Sequence, residues 1–272
     1  RTGQAHNVMV WPEPSSGWGA KDMKYRFQWT FPIAFSPHDS KILYVAGNHI
    51  FKSEDGGSNW EMISPDLTRN DLTKLGPSGG PVTKDVTNAE YYCTVFSFAE
   101  SVVQKGVLWA GSDDGLVHIS TDGGQNWTNV TPEDLPEWAL VSIIEPSQHS
   151  AGSAYLAATC YKLGDHTPYL FATNDFGTTW EKITKGIPQN DITRVIREDP
   201  VKKGLLFVGT ESGVYLTIDA GRHWEPMQLS LPIVPIHDMI IKDDDLIVAT
   251  HGRSFWILDN IGILRQISDN FS

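Results

Sequence analysis

Four stretches of the chain, SEDGGSNW (53–60), STDGGQNW (120–127), TNDFGTTW (173–180) and TIDAGRHW (217–224), share one pattern: Ser or Thr, x, Asp, x, Gly, x, x, Trp. Their tryptophans lie 67, 53 and 44 residues apart, so the motif is constant while the spacing varies. A fixed structural unit carrying loops of different length is implied. The residue types are those of a tight turn between two strands. Gly tolerates positive φ, an Asp carboxylate accepts hydrogen bonds from turn amides, and the Ser or Thr hydroxyl adds a second local bond. The indole buries a large apolar surface and offers its N–H to a carbonyl. Asp55, Gly57, Trp60, Asp122, Gly124, Trp127, Asp175, Gly177, Trp180, Asp219, Gly221 and Trp224 are therefore read as structural. Four equivalent aspartates around a ring cannot converge on one substrate, which argues against a catalytic or metal-binding role for them.

The repeat extends upstream. Each turn follows two apolar runs joined by a short polar or Gly-bearing break: ILYVAG-NH-IFKS, VLWAGSDDGLVHIS, AYLAATCYKLGDHTPYLFAT and LLFVGTESGVYLT. DLIVATHGRSFWILD is a fifth copy that keeps the two strands and lacks the Asp-Gly-Trp turn. Farther upstream each copy has one more apolar run, and WEMI, WTNV, WEKI and WEPM add a short final strand after each Trp. Four short strands per 44 to 67 residues, rich in β-branched and aromatic residues, predict an all-β fold: a β-propeller of four-stranded antiparallel blades. Blades are expected at about 25–63, 89–130, 137–183, 189–228 and 234–260, within one partial propeller spanning 1–272. Residues 1–24 read as the closing strand of a preceding blade, and 64–88 as a long rim loop. Five blades and a fraction point to part of a larger six- to eight-bladed ring, completed by the rest of a longer chain or by another subunit.

Length and composition agree with one domain: 272 residues, 40% hydrophobic, can bury a full core. A formal net charge of −12 repels a nucleic-acid backbone and an anionic membrane surface, so no nucleic-acid partner is expected. No run approaches 18 uninterrupted apolar residues, so no membrane insertion is expected either. Cys93 and Cys160 sit in strand-like runs and are expected as reduced core thiols, without a disulfide framework. An opening Arg1 with no Met suggests a processed secreted protein or a piece of a longer one, hence an extracellular, periplasmic or cell-surface location.

With these motifs in view, the chain resembles the BNR or Asp-box repeat proteins, and its strand arrangement looks like that of sortilin-type and xyloglucanase-type propellers. SPDLTRND, SGGPVTKD, EYYCTVFSFAES, WAGSDDGLVHIS and THGRSFWILD are similar to segments of secreted bacterial proteins described as sortilin-like or glycosyl-hydrolase-like. THGRSFWILD resembles that family's final blade. Two departures limit what the resemblance implies. The Phe-Arg-Ile-Pro segment of sialidases is absent, TFPIAF standing in its place, and the two cysteines are too few for the Cys-rich module of sortilin-type receptors. Neither sialidase activity nor receptor sorting is implied.

A ligand is expected on the rim opposite the Asp boxes, where the hairpins between second and third strands and the inter-blade connections lie. Glycoside hydrolysis would need two facing carboxyl groups there. The acidic residues placed on that rim are Asp85, Glu90, Asp113, Asp114, Asp165, Glu211 and Asp238, with Asp113, Asp114 and Asp238 the weak catalytic candidates. Adjacent residues at a strand end point to different sides, so Asp113-Asp114 reads more readily as a turn. Tyr25, Tyr91, Tyr92, Trp138 and Tyr161 could stack on sugar rings or a protein partner, the bland alternative being inter-blade packing. His166, His237, His251 and Arg253 are placed to orient a polar ligand. No HExxH, paired CxxC, GxGxxG or GxSxG motif is present, and no metal or cofactor is expected. Two functions follow: a secreted module for protein–protein interaction or carbohydrate binding, its partner a polysaccharide or protein, and, as the alternative, a xyloglucanase-like glycoside hydrolase.

Overall fold

A computed structural model describes residues 3, 5, 7–13, 16–87 and 91–267. The chain is an all-β propeller. The described residues form five antiparallel sheets in sequence order. The first holds β1 (Ile33–Phe35), β2 (Leu43–Ala46), β3 (Ile50–Ser53) and β4 (Glu61–Met62); the second β5 (Val95–Glu100), β6 (Leu108–Ser112), β7 (Val117–Ser120) and β8 (Thr128–Asn129). The third holds β9 (Leu140–Pro146), β10 (Ala154–Cys160), β11 (Asp165–Thr173) and β12 (Glu181–Lys182); the fourth β13 (Thr193–Glu198), β14 (Leu206–Thr210), β15 (Val214–Thr217) and β16 (Glu225–Pro226). The fifth has three strands, β17 (Ile236–Lys242), β18 (Asp245–Thr250) and β19 (Phe255–Leu258). No described helix is long and apolar enough to cross a membrane.

The sheets pack face to face, and one apolar core fills each space between neighbours. Ile42, Tyr44 and Ile50 meet Val95 and Leu108 between the first and second sheets; Trp109 and Val117 meet Val141 and Leu156 between the second and third. Leu170 and Tyr155 meet Ile196 and Leu206 between the third and fourth; Phe207 and Val195 meet Ile236 and Met239 between the fourth and fifth. Close approach requires small residues on the second strand. A Cβ on Gly111 would lie 2.3 Å from Val141 Cγ1, and one on Gly209 would lie 2.6 Å from Ile236 Cγ2. Register places Ala46, Gly111, Ala157, Gly209 and Ala249 at the same point of the five sheets.

The Asp-box turns join these layers by repeated bonds. In each, the Ser or Thr hydroxyl accepts from the Gly N–H, at 2.9 Å for Gly57 and Gly124, 3.0 Å for Gly177 and 3.2 Å for Gly221. The carboxylate accepts that hydroxyl and the N–H four residues on, from Asn59, Asn126, Thr179 and His223. Three indoles then reach across. Trp127 donates to the Ile63 carbonyl at 2.8 Å, Trp180 to Val130 at 2.7 Å and Trp224 to Ile183 at 2.6 Å. The same aliphatic residues press on the turn glycines: a Cβ on Gly124 would meet Ile63 Cδ1 at 2.9 Å, and those on Gly177 and Gly221 would meet Val130 and Ile183 at 2.8 Å.

The fifth sheet is three-stranded among the described residues, as its copy without an Asp-box turn implies, since no such turn returns the chain past β19. One sequence expectation takes a different form. The described part of 1–24 forms no strand, having only a 3-10 turn at Ala20–Asp22; Val8 instead packs on Gly57, and Trp11 meets the Tyr25 ring edge-on at 5.9 Å. The described part of the 64–88 rim loop has a packed interior. Leu75 and Val86 join Ala20, Tyr91 and Cys93 in a small core of their own, tied by Lys21 N–H to the Leu75 carbonyl and Gly17 N–H to the Val86 carbonyl. Cys93 and Cys160 are buried free thiols.

Two outcomes follow. Gly123 and Gly124 both hold positive φ, +76° and +97°, but only Gly124 faces the preceding sheet. Gly123→Ala should cost about 1 kcal/mol and Gly124→Ala roughly 1–3 kcal/mol more, read by urea unfolding. Hydrogen bonds from Asn59 and Asn126 hold the exposed Asp55 and Asp122 carboxyls down to about 2. Because these values are depressed, the turns' contribution is complete above about pH 4 and is lost as pH falls through about 2; an Asp122→Asn variant should show a weaker acid dependence in that window.

Candidate functional site

The rim away from the Asp boxes carries the turn 113–116 between β6 and β7, the connection 130–139 leading into β9, and the turn 161–164 between β10 and β11. Together with the 64–88 loop they enclose a cleft of about 290 Å³, whose lining includes Lys74, Tyr92, Asp113, Trp138, Cys160 and Tyr161. Tyr92 and Trp138 lie 6.0 Å apart with planes tilted by 30°. Trp138 holds φ +63°, a left-handed conformation for a large residue, in the turn that lifts its ring to the rim. Cations flank the aromatics. Lys74 Nζ stands 4.6 Å and Arg69 Cζ 5.1 Å from the Trp138 centroid, while Arg194 Cζ is 5.3 Å from that of Tyr161.

Asp113 and Asp114 have separate environments. Asp113 accepts the Thr94 N–H at 2.9 Å and the Thr94 hydroxyl at 2.8 Å, and its carboxyl is raised to about 7, chiefly by burial. Asp114 is fully buried and turns to Ser112, whose hydroxyl donates at 2.5 Å, and to Arg69, whose backbone N–H donates at 2.8 Å. Arg69 is thereby anchored: its Nε donates to the Asp114 carbonyl and its guanidinium pairs with Glu137 at 3.2 Å. Asp114 positions the loop that brings Arg69 to Trp138. Asp113 is the only carboxyl among the described residues lining the cleft.

A second group continues from Tyr161 toward the fifth sheet. Arg194 pairs with Glu211 at 2.6 Å, and the His237 and His251 rings meet edge-on at 4.7 Å. Burial, then Arg194 and His251, push the His237 imidazole below its usual range. Arg253 uses its backbone N–H on Thr250 and its carbonyl on the Trp256 indole, and its side chain is exposed. His166 is exposed beside Asp165, whose carboxylate accepts the Tyr169 hydroxyl at 2.6 Å.

The remaining candidates lie elsewhere. Asp238 pairs with Arg197 at 2.7 Å, and Arg197 also holds Glu145 at 3.0 Å; these three come from the first strands of the third, fourth and fifth sheets and line a separate depression of about 340 Å³. Asp85 closes a turn with Ser78, Tyr91 is buried in the loop core, and Tyr25 packs edge-on against Phe51 and His49. Glu90 lies outside the described residues. Sequence reasoning passed over Lys74, Arg69, Arg194 and Lys162; only Lys162, adjacent to Tyr161, carried a local signal, since the other three are far in sequence from the rings they flank. Among the described residues no cluster of three His, Cys, Asp or Glu is gathered as metal ligands would be.

Comparison with known proteins places this geometry. A family model for the BNR/Asp-box repeat matches residues 118–129, which run from β7 through its turn into β8. The photosystem II assembly lipoprotein Ycf48 of Synechococcus sp. (strain CC9902) is 26% identical over 168 residues, covering 61% of this chain and 40% of that protein. Among solved structures, the GH74 xyloglucanase from Xanthomonas campestris superposes on 84% of this chain with a TM-score of 0.61 at 16% identity, over 36% of its own length. A structure of YCF48 bound to D1 peptide superposes on 86% of this chain with a TM-score of 0.52 at 19% identity, over 67% of its length. The chain thus spans about two fifths of the curated relative and about a third of the xyloglucanase. At these identities the structural likenesses establish the fold, a BNR-type β-propeller.

The raised Asp113 carboxyl sets a pH dependence. Its folded value of about 7 exceeds the usual 3.8, so its stabilising contribution is complete below about pH 4 and is lost as pH rises through about 7. Asp113→Asn should shrink the fall in unfolding free energy between about pH 5 and about pH 8, measured by urea denaturation at both.

Proposed function

We propose that this BNR-type β-propeller is a binding module that holds a protein partner on the rim opposite its Asp boxes. The observation that carries the reading is the cleft in which Tyr92, Trp138 and Tyr161 present aromatic surface flanked by Lys74, Arg69 and Arg194. Rigid aromatics with neighbouring cations are the residue types that anchor interfaces, and here short turns on a packed sheet array hold them. The likeness to a YCF48 structure bound to a peptide favours a peptide segment as ligand. A location outside the cytoplasm, extracellular or periplasmic, goes with this reading, since the Ycf48 relative is a lipoprotein.

Carbohydrate is the second reading, favoured by the xyloglucanase likeness and by Asp113, whose carboxyl near 7 has the proton affinity of a general acid. A hydrolase needs a second carboxyl across the scissile bond. Asp114 is committed to Ser112 and Arg69, so that partner would come from outside this cleft.

Calorimetric titration with a library of extended peptides and, separately, with xyloglucan oligosaccharides discriminates the two. Peptide binding should weaken at least ~10-fold in Trp138→Ala, since a truncated aromatic anchor costs on the order of 2 kcal/mol or more. Asp113→Asn should leave it within about threefold. Oligosaccharide cleavage abolished by Asp113→Asn would replace the protein-binding reading with the hydrolase one.

A further inference from the structure

Charge is spread unevenly over this molecule. The chain carries 33 acidic against 21 basic residues, yet the rim cleft is lined by Lys74 and Lys162 against the single carboxyl of Asp113. Lys74 ends the 3-10 turn Leu72–Lys74 and stands over the Trp138 ring; Lys162 lies in the turn 161–164, its Nζ 6.0 Å from the Tyr161 centroid. Among the described residues neither lysine is ion-paired. Asp71 feels the charge of Lys74, but its carboxylate accepts the Thr73 N–H at 2.9 Å and the Thr73 hydroxyl at 2.7 Å. The nearby arginines are committed: Arg69 pairs with Glu137 and Arg194 with Glu211. Their planar forks, the usual bidentate partners of phosphate, are occupied, and the cations left for a ligand are ammonium groups.

Asp113 sets how much of that positive charge a ligand meets. Its carboxyl faces Thr94 just ahead of β5, Asp114 on its own turn, Lys162 from the turn 161–164, and Tyr92 and Cys93 before Thr94. Burial pushes the Tyr92 phenol and the Cys93 thiol well up, so both are neutral. Asp114 raises the Asp113 carboxyl, the Thr94 bonds and Lys162 lower it, and burial outweighs them. With its proton, Asp113 is a hydrogen-bond donor beside two uncompensated ammonium groups; without it, Asp113 repels any anion that enters. A neutral ligand closing the cleft would strip water from both ammonium groups and supply no counter-charge, which is costly. The volume of about 290 Å³ is small for a ligand site and suits a side chain or a chain terminus.

We propose that the cleft selects a peptide carboxylate, held by Lys74 and Lys162, and that Asp113 admits it only in the protonated state. The inference rests on the binding function given above and adds the ligand's chemistry and its dependence on pH. The carboxylate belongs to an Asp or Glu side chain or to a chain terminus, since the cleft meets the same group in each. Once it is bound, the proton on Asp113 is shared with a second carboxyl group and is harder to remove. Affinity is therefore greatest below about pH 7 and falls by up to about tenfold per pH unit above it.

Calorimetric titration of the 272-residue chain with three matched pools of short N-acetylated peptides tests this. One pool is amidated and holds a single Glu per peptide, the next has Gln in its place, and the last is the Gln pool with a free C-terminal carboxylate. At about pH 6 at least one carboxylate pool should bind ~10-fold more tightly than the amidated Gln pool. Lys74→Gln and Lys162→Gln should each cut that preference at least ~3-fold. Both lysines are exposed, so circular dichroism should show the fold unchanged. The preferred pool identifies the source of the anion. Its affinity for the unaltered chain should fall ~10-fold or more between about pH 6 and about pH 8.5, and in Asp113→Asn that fall should shrink below about threefold. Binding by none of the pools would overturn the binding function and this inference together. Equal binding of all three, a preference untouched by both lysine substitutions, or an affinity constant across the pH range would leave the function standing and overturn this inference alone.

Discussion

The indole N–H that an Asp-box tryptophan gives to the carbonyl of the preceding sheet is the interaction on which the architecture depends. A single four-stranded sheet with apolar residues on both faces has no stable existence in water; burial comes only from its neighbours. The Ser–Asp–Gly turn holds the tryptophan at a fixed height above the sheet, and the turn glycine leaves room for the aliphatic residue whose carbonyl receives the bond. Hydrophobic area supplies the drive, and this directional bond fastens the turn end of one sheet to its neighbour in the three interfaces where it forms. Loops of any length can then be inserted between sheets without altering the stacking, as the 64–88 insertion shows.

The opposite rim inherits that rigidity. Short turns project Asp113, Trp138 and Tyr161 from neighbouring sheets, so the relative placement of the cleft's walls is decided by the cores beneath them. The inserted loop adds what the turns lack. Through Asp114 it is fastened at Arg69, and it brings Lys74 over the Trp138 ring. A cleft of aromatic planes and fixed cations thus arises from residues far apart in the chain. On the first strands of three sheets, Arg197 ties Glu145 and Asp238 together; burial raises the Glu145 carboxyl while the guanidinium opposes that shift.

The all-β class, the four strands per unit and the structural task of Asp122 or Gly177 could be read from the residues because they are local: turn chemistry and strand patterning act within a few positions of the chain. The sequence alone therefore decided the repeat and the blade-like sheets. Only the tertiary structure decided which rim residues meet. Asp113 and Asp114 are neighbours in sequence, yet one sits under Thr94 in the cleft and the other fastens a loop, because packing of β5 and of the 64–88 segment selects a different partner for each. Lys74 and Trp138, sixty-four positions apart, meet for the same reason. Such encounters depend on the angle between stacked sheets, a quantity set by the summed fit of their buried side chains and by no one motif.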